Sequence, residues 1–148
     1  MKKVNLVCVG RIKEKFLADG IAEYAKRLTR FCDFTVTELA DVAGEGEVKK
    51  ESDAILSKLR GYVIVCDIGG KTLSSPELSA AMENAYLRTP EITFVIGGSE
   101  GFDDRVREKA DLRMSFGRVT FPHQLMRLIL TEQIYRAFNI AAGTPYHK

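Results

Sequence analysis

The sequence has no tryptophan, only two histidines and only three cysteines among 148 residues. Each scarcity removes a kind of chemistry. His123 and His147 cannot between them make a three-histidine metal site, so no metal cofactor is expected. Cys8, Cys32 and Cys66 are odd in number and widely spaced, which argues against a disulfide framework and against a zinc site. Cys8 and Cys66 each stand inside an apolar run and read as small core residues. No apolar run is long enough to span a bilayer. The opening Met1-Lys2-Lys3-Val4-Asn5-Leu6-Val7 enters a strand-like run with no small-residue cleavage pattern behind it. A cytoplasmic protein is therefore expected. An excess of one charge is also missing. Twenty-two Lys and Arg against 20 Asp and Glu leave +2, whereas proteins that grip naked RNA by charge alone are usually more basic. The first strand-to-helix turn, Val9-Gly10-Arg11-Ile12-Lys13, lacks the G-x-G-x-x-G pattern of a Rossmann unit. There is no Walker sequence, and no G-x-S-x-G turn for a serine nucleophile.

What is present is a regular alternation of short apolar runs and amphipathic stretches. Val4–Val9 and Tyr62–Cys66 read as buried strands, the second ending at Asp67-Ile68-Gly69-Gly70. Ile92–Ile96 is a third, stopped by Gly97-Gly98, and Phe34–Leu39 alternates as a half-exposed strand does. Leu112–Phe116 is a weaker strand. Lys13–Arg30 is predicted helical, with Phe16, Leu17, Ile21, Tyr24, Ala25 and Leu28 on its apolar face. Asp41–Glu47, with two glycines, reads as a mobile loop and Val48–Leu59 as a helix. Ser74-Ser75-Pro76-Glu77 carries a serine cap, a first-turn proline and an acid near the positive end of the dipole, starting a helix to about Arg88. Asp103–Ala110 is a short polar helix. Gln124–Ala142 is the longest, closed by Gly143 and Pro145. Strands alternating with helices imply an α/β fold with a mainly parallel sheet covered on both faces. With no repeat or linker, residues 1–148 read as a single domain.

The last predicted helix is apolar at every phase of its wheel, from Leu125 to Ile140. Such a helix is covered on more than one side, and in a chain this small a homodimer interface supplies the second cover. Three segments hold candidate chemistry. Phe94–Phe102 delivers Gly97 and Gly98 to the carboxyl edge of the sheet, where bare backbone approaches a ligand closely. Phe116-Gly117-Arg118-Val119-Thr120-Phe121-Pro122-His123 is an apolar, glycine-bearing loop running into the last helix. Pro145-Tyr146-His147-Lys148 ends the chain with an aromatic ring, an imidazole and a cation, a set suited to stacking on and holding a nucleobase. For His123 the plain alternative is a helix-start residue. For Arg136 it is an intrahelical ion pair with Glu132 four residues before it.

Ile96–Gly101 (I-G-G-S-E-G), Thr120–His123 (T-F-P-H), Glu132–Ala137 (E-Q-I-Y-R-A) and Pro145–His147 (P-Y-H) occur in an order that resembles one family. It is the SPOUT, or α/β-knot, family of methyltransferases that modify pseudouridine at N3 in large-subunit ribosomal RNA. Leu6–Gly10 and Tyr24–Leu28 fit as well, and Ser99 stands where many members have proline. The resemblance implies a C-terminal deep trefoil knot and a homodimer. It implies S-adenosylmethionine as methyl donor, held by Cys66, Gly97, Phe116, Gly117, Arg118, Val119, Thr120 and Phe121. It also implies catalytic roles for His123, Arg136, Tyr146 and His147, acting on 23S ribosomal RNA. With no extra RNA-binding segment and a net charge of +2, an assembled ribosome is the expected substrate. A ribosome-bound relative without activity would not need the intact cleft glycines and tail, and a transfer-RNA methyltransferase would usually be more basic.

Overall fold

The computed structural model describes residues 1–148. Five strands form one sheet: β1 (Lys3–Val9), β2 (Asp33–Leu39), β3 (Tyr62–Thr72), β4 (Glu91–Ile96) and β5 (Leu112–Ser115). Their order is β2-β1-β4-β3-β5, and every pairing is parallel. Parallel neighbours require crossovers, supplied by α1 (Lys15–Leu28), α2 (Glu47–Leu56), α3 (Ser75–Tyr86) and α4 (Asp104–Lys109), while α5 (His123–Ala142) follows the last strand. The expected mainly parallel α/β sheet is therefore entirely parallel.

The side-chain period of two divides the strands between two cores. Val4, Leu6 and Cys8 of β1 and Ile92, Phe94 and Ile96 of β4 pack with Leu28 of α1, Leu78 and Met82 of α3, and Leu130 and Ile134 of α5. On the opposite face Val7, Val9, Val63, Val65 and Val95 pack with Ile55 of α2 and with Phe102 and Val106 at α4. Three helices cover one face and two the other. α5 lies in the thicker layer, in contact with both α1 and α3.

The structure amends the sequence reading in several places. β3 does not end at the glycines; it continues to Thr72, with an irregularity between Cys66 and Lys71 where it pairs with β5. Gly70 permits this, because a Cβ there would stand 2.7 Å from the backbone of Arg113. Phe16 is not part of the apolar face of α1: it is 68% exposed, and Leu17, Ile21 and Leu28 carry the burial. α2 stops at Leu56, where the Ser57 hydroxyl donates to the carbonyl of Ala54. Cys8 and Cys32 are core residues, whereas Cys66 is only half-buried. The start of α3 is as read, with a reciprocal capping box between Ser74 and Glu77. No helix is long and apolar enough to cross a membrane.

Candidate active site

The irregular middle of β3 and the carboxyl ends of β4 and β5 open into a cleft of about 280 Å³. Its walls are Cys66, Asp67 and Ile68 within β3, Ile96 at the end of β4 with Gly97 and Gly98 after it, and the stretch from Met114 to Phe121 apart from Arg118. His123 and Met126, in the first turn of α5, close one side. Of the eight residues expected around a cofactor, Cys66, Gly97, Phe116, Gly117, Val119, Thr120 and Phe121 therefore line one space. Arg118 does not; it points outward and is exposed.

Local interactions shape this cleft. The Ser115 hydroxyl donates to the Gly117 carbonyl and accepts from the Gly117 N–H, both at 3.1 Å, and so folds the start of the loop. Gly117 has φ +102°, a conformation that side-chain-bearing residues rarely adopt. After β4 the chain turns back through a hydrogen bond from Gly101 N–H to Gly98 O at 2.9 Å. Gly97 is needed for packing as much as for access: a Cβ there would meet the Phe102 ring at 2.9 Å and the Gly101 backbone at 3.0 Å. The buried Glu51 carboxylate braces the neighbouring loop by accepting from Val42 N–H at 2.9 Å.

Sequence reasoning did not select Asp67, Ile68 or Arg107, and all three line the cleft. Asp67 accepts from Arg107 Nε at 3.1 Å and from Arg113 Nη1 at 3.2 Å, and the Arg107 guanidinium lies 4.9 Å from the Phe102 ring centre. Asp67 and Ile68 were legible in principle, since they directly follow Cys66 where the apolar run ends. Arg107 comes from a helix on the opposite side of the sheet and carried no signal. Arg127 was missed as well. It is 1% exposed, donates to Glu38 Oε2 and to the Gly10 carbonyl, and ties α5 to the ends of β1 and β2.

The other candidates gather elsewhere. Arg136 donates to Glu132 through Nε at 3.1 Å and Nη2 at 2.8 Å, so the intrahelical pair exists. Its Nη1 is also 3.0 Å from His147 Nδ1, and its guanidinium sits 4.8 Å from the Tyr146 ring centre. Tyr146 donates its hydroxyl to Glu132 at 2.8 Å and meets the Tyr135 ring edge-on at 4.8 Å. Burial, then the Glu132 carboxylate, push the Tyr146 phenol well above its ordinary range. The tail is therefore anchored. Its anchors lie on the C-terminal half of α5, whereas His123 begins that helix at the cleft. Thirteen residues of helix separate His123 from Arg136, about 20 Å at 1.5 Å per residue. Within one chain the four catalytic candidates thus form two groups.

A family described as predicted SPOUT methyltransferase matches residues 2–147. The chain belongs to the SPOUT methyltransferase family. Among individual relatives of this SPOUT chain, ribosomal RNA large subunit methyltransferase H of Streptococcus uberis is 50% identical, with 99% of each chain covered. The protein of the same description from Pediococcus pentosaceus is 51% identical, covering 98% of this chain and 99% of its own. Among solved structures, tRNA (m1G37) methyltransferase from Aquifex aeolicus superimposes with a TM-score of 0.54 at 15% identity, over 91% of this chain and 70% of that one. A Legionella pneumophila protein described as a methyltransferase and solved with bound S-adenosylmethionine gives 0.53 at 12% identity, over 95% of this SPOUT chain and 66% of its own. At such identities the structural matches speak for the fold.

Proposed function

We propose that this SPOUT protein transfers a methyl group from S-adenosylmethionine to N3 of a pseudouridine in 23S ribosomal RNA, on the assembled ribosome in the cytoplasm. The observation that carries the reading is the cleft: glycine backbone and apolar walls at the carboxyl edge of a parallel sheet, in a chain half identical over its whole length to ribosomal RNA large subunit methyltransferases. The residues suit the methyl donor. Phe116, Val119 and Phe121 offer apolar walls for adenine, and the glycine-bearing loop offers backbone hydrogen-bonding groups beside them. Asp67 supplies an anion on the same wall. When bound, S-adenosylmethionine supplies an electrophilic methyl on a sulfonium.

The chain's own residues then have distinct tasks. The apolar walls exclude water, which weakens solvation of an anionic ring nitrogen and favours its attack on a cationic donor. Arginine has no acceptor, so Arg136 donates to His147 Nδ1, and a neutral His147 carries its proton on Nε2. In that state it offers a hydrogen bond to a base carbonyl. His123, at the cleft itself, is the group placed to take the imide proton. Tyr146 presents a ring for stacking, and Glu132 with Arg136 fixes the direction of the tail.

Because the tail lies about 20 Å along α5 from the cleft, a homodimer in which each tail reaches the partner's cleft would complete the site. The outward face of α5 supports this, since Leu125, Leu128, Ile129 and Ile140 remain partly exposed in the single chain. We also infer that residues 1–148 act as one domain whose C-terminal part is a deep trefoil knot. In support, the chain leaves β5 at the sheet edge and returns through the cleft loop to α5, between α1 and α3. The test is transfer of labelled methyl from S-adenosylmethionine to whole ribosomes, separate subunits and naked ribosomal RNA side by side. Labelled N3-methylpseudouridine in the large-subunit RNA of whole ribosomes is expected; no transfer to any of the three would refute the reading.

A further inference from the structure

Asp67 is the only carboxylate, and Arg107 the only lysine or arginine, among the residues that line the cleft. Their hydrogen bonds are not alike. The Asp67 side chain is nearly buried and its oxygens are taken up. Oδ2 accepts from Arg107 Nε and from Arg113 Nη1, and Oδ1 accepts from the Gly69 N–H at 3.3 Å. Arg107 is half-buried and has donors to spare. Its Nε is held by Asp67, its Nη1 donates to Asp104 at 3.0 Å, and its Nη2 makes no hydrogen bond to the protein. The Asp104 side chain is 87% exposed, so that contact is screened by water and readily given up. The guanidinium also rests on the buried Phe102 ring, which fixes its plane. Arg113 by itself would neutralise Asp67. The second arginine leaves a positive charge on the cleft wall.

We propose that Arg107 recognises the α-carboxylate of the methyl donor, and so selects S-adenosylmethionine over adenosyl compounds that lack this group. The proposal rests on the S-adenosylmethionine reading above. The amino-acid end of that donor carries one carboxylate, which needs a cation once water is displaced from the cleft. Arg107 is the one permanent cation the cleft walls hold. Its Nη1 and Nη2 form the end of a planar fork that matches two carboxylate oxygens. Nη2 is free, and Nη1 becomes free when Asp104 turns to water. Asp67 on Nε and Phe102 against the plane hold that end in one direction, so little side-chain freedom is lost on binding. Asp67 is thus a positioning residue, acting through Arg107. A purely structural tie between α4 and β3 would account for the Nε contact, but it would not need a free Nη2 in the cleft.

The test is calorimetry on the full-length protein with S-adenosylmethionine, with its decarboxylated form, and with 5′-methylthioadenosine, which lacks the whole amino-acid end. The wild type should prefer S-adenosylmethionine to the decarboxylated form at least tenfold, about 1.4 kcal/mol. Arg107→Met keeps an unbranched stem against Phe102 and removes the charge. It should abolish that preference by weakening S-adenosylmethionine at least tenfold, and it should leave 5′-methylthioadenosine affinity unchanged. Arg107→Lys, a point charge without the fork, should restore part of the preference. Asp67→Asn should narrow it, because Nε loses its charged anchor, again without effect on 5′-methylthioadenosine. An unaltered preference in Arg107→Met would overturn the proposal. So would an equal loss of all the ligands in that variant, which would make Arg107 a support for the shape of the cleft. A wild type that binds S-adenosylmethionine and its decarboxylated form alike would overturn it too. Failure of the broader reading looks different: the wild type would show the expected preference and transfer no methyl to ribosomal RNA.

Discussion

Ile68 and Val119 are large apolar side chains left 66% and 69% exposed, and both stand at the cleft. A ligand with an apolar face would cover them. Ile68→Asp and Val119→Asp should each weaken S-adenosylmethionine binding at least tenfold, about 1.4 kcal/mol, by calorimetry. Stability to urea should move by no more than about 0.5 kcal/mol, as is usual for surface changes. Wild-type affinity in both variants would place the cofactor elsewhere. These are cleaner probes than Gly97→Val, whose side chain would strike Phe102 and Gly101 and disturb the turn itself. The three thiols give a second prediction at this scale. Burial pushes Cys8 up to about 11 and Cys32 and Cys66 up to about 12, from an ordinary 9.0. Only thiolates react readily, so in native protein at pH 8 the two core thiols, Cys8 and Cys32, should stay unreacted with a thiol reagent, and urea-unfolded protein should react at all three. Thiols held neutral in the fold ionise earlier in the unfolded chain. Their contribution to stability is therefore complete below pH 9 and is lost as the pH rises from about 9 towards 12. Stability that stays flat across that alkaline window would contradict the burial.

At the scale of elements, α5 is held at two places by polar groups that its hydrophobic pattern does not announce. Near its start Arg127 is almost fully buried, pairs with the partly exposed Glu38, and leaves Nε without a partner. Arg127→Ala removes this tie between α5, β1 and β2, deprives the Gly10 carbonyl of its donor and opens a void. Because Glu38 can turn to water, the cost should fall near the lower end for broken buried pairs, about 3 kcal/mol by urea unfolding. A change below about 1 kcal/mol would show that the pair does not support the helix. The start of α3 is a milder case: Ser74→Ala should cost about 1 kcal/mol through loss of the cap. The elements themselves were largely legible because their apolar residues recur at period two or at helical spacing. The misreadings have local causes. Two adjacent glycines look like a strand end, yet β3 runs through them because β5 needs a close approach there. Phe16 falls at helical spacing, but it lies in the first turn of α1, where its ring remains exposed.

At the scale of the molecule, the question is how two groups of candidate residues come to act together. Deleting residues 146–148 should leave S-adenosylmethionine affinity unchanged and reduce ribosome methylation at least a hundredfold, roughly 2.7 kcal/mol of transition-state stabilisation. If each tail serves the partner's cleft, mixing and re-equilibrating that truncated protein with Val119→Asp should restore part of the activity that neither has alone. Some mixed dimers then hold one intact cleft and one intact tail in the productive pairing. No recovery in a mixture shown to have exchanged subunits would mean that cleft and tail act within one chain. A wild-type sedimentation mass near 16.5 kDa at micromolar concentration would exclude the dimer altogether.

The sequence by itself determined the α/β alternation, the capped start of α3, the apolar runs that fill both cores and the segments that line the cleft. All of these are properties of neighbours along the chain, and each leaves a period, a cap or a glycine to read. Only the tertiary structure decided the strand order, the burial of Arg127, and the recruitment of Asp67 and Arg107 to the cleft. Those depend on which parallel strands lie side by side and on how a twenty-residue helix crosses the sheet. Contacts between residues far apart in sequence leave no periodic trace in it.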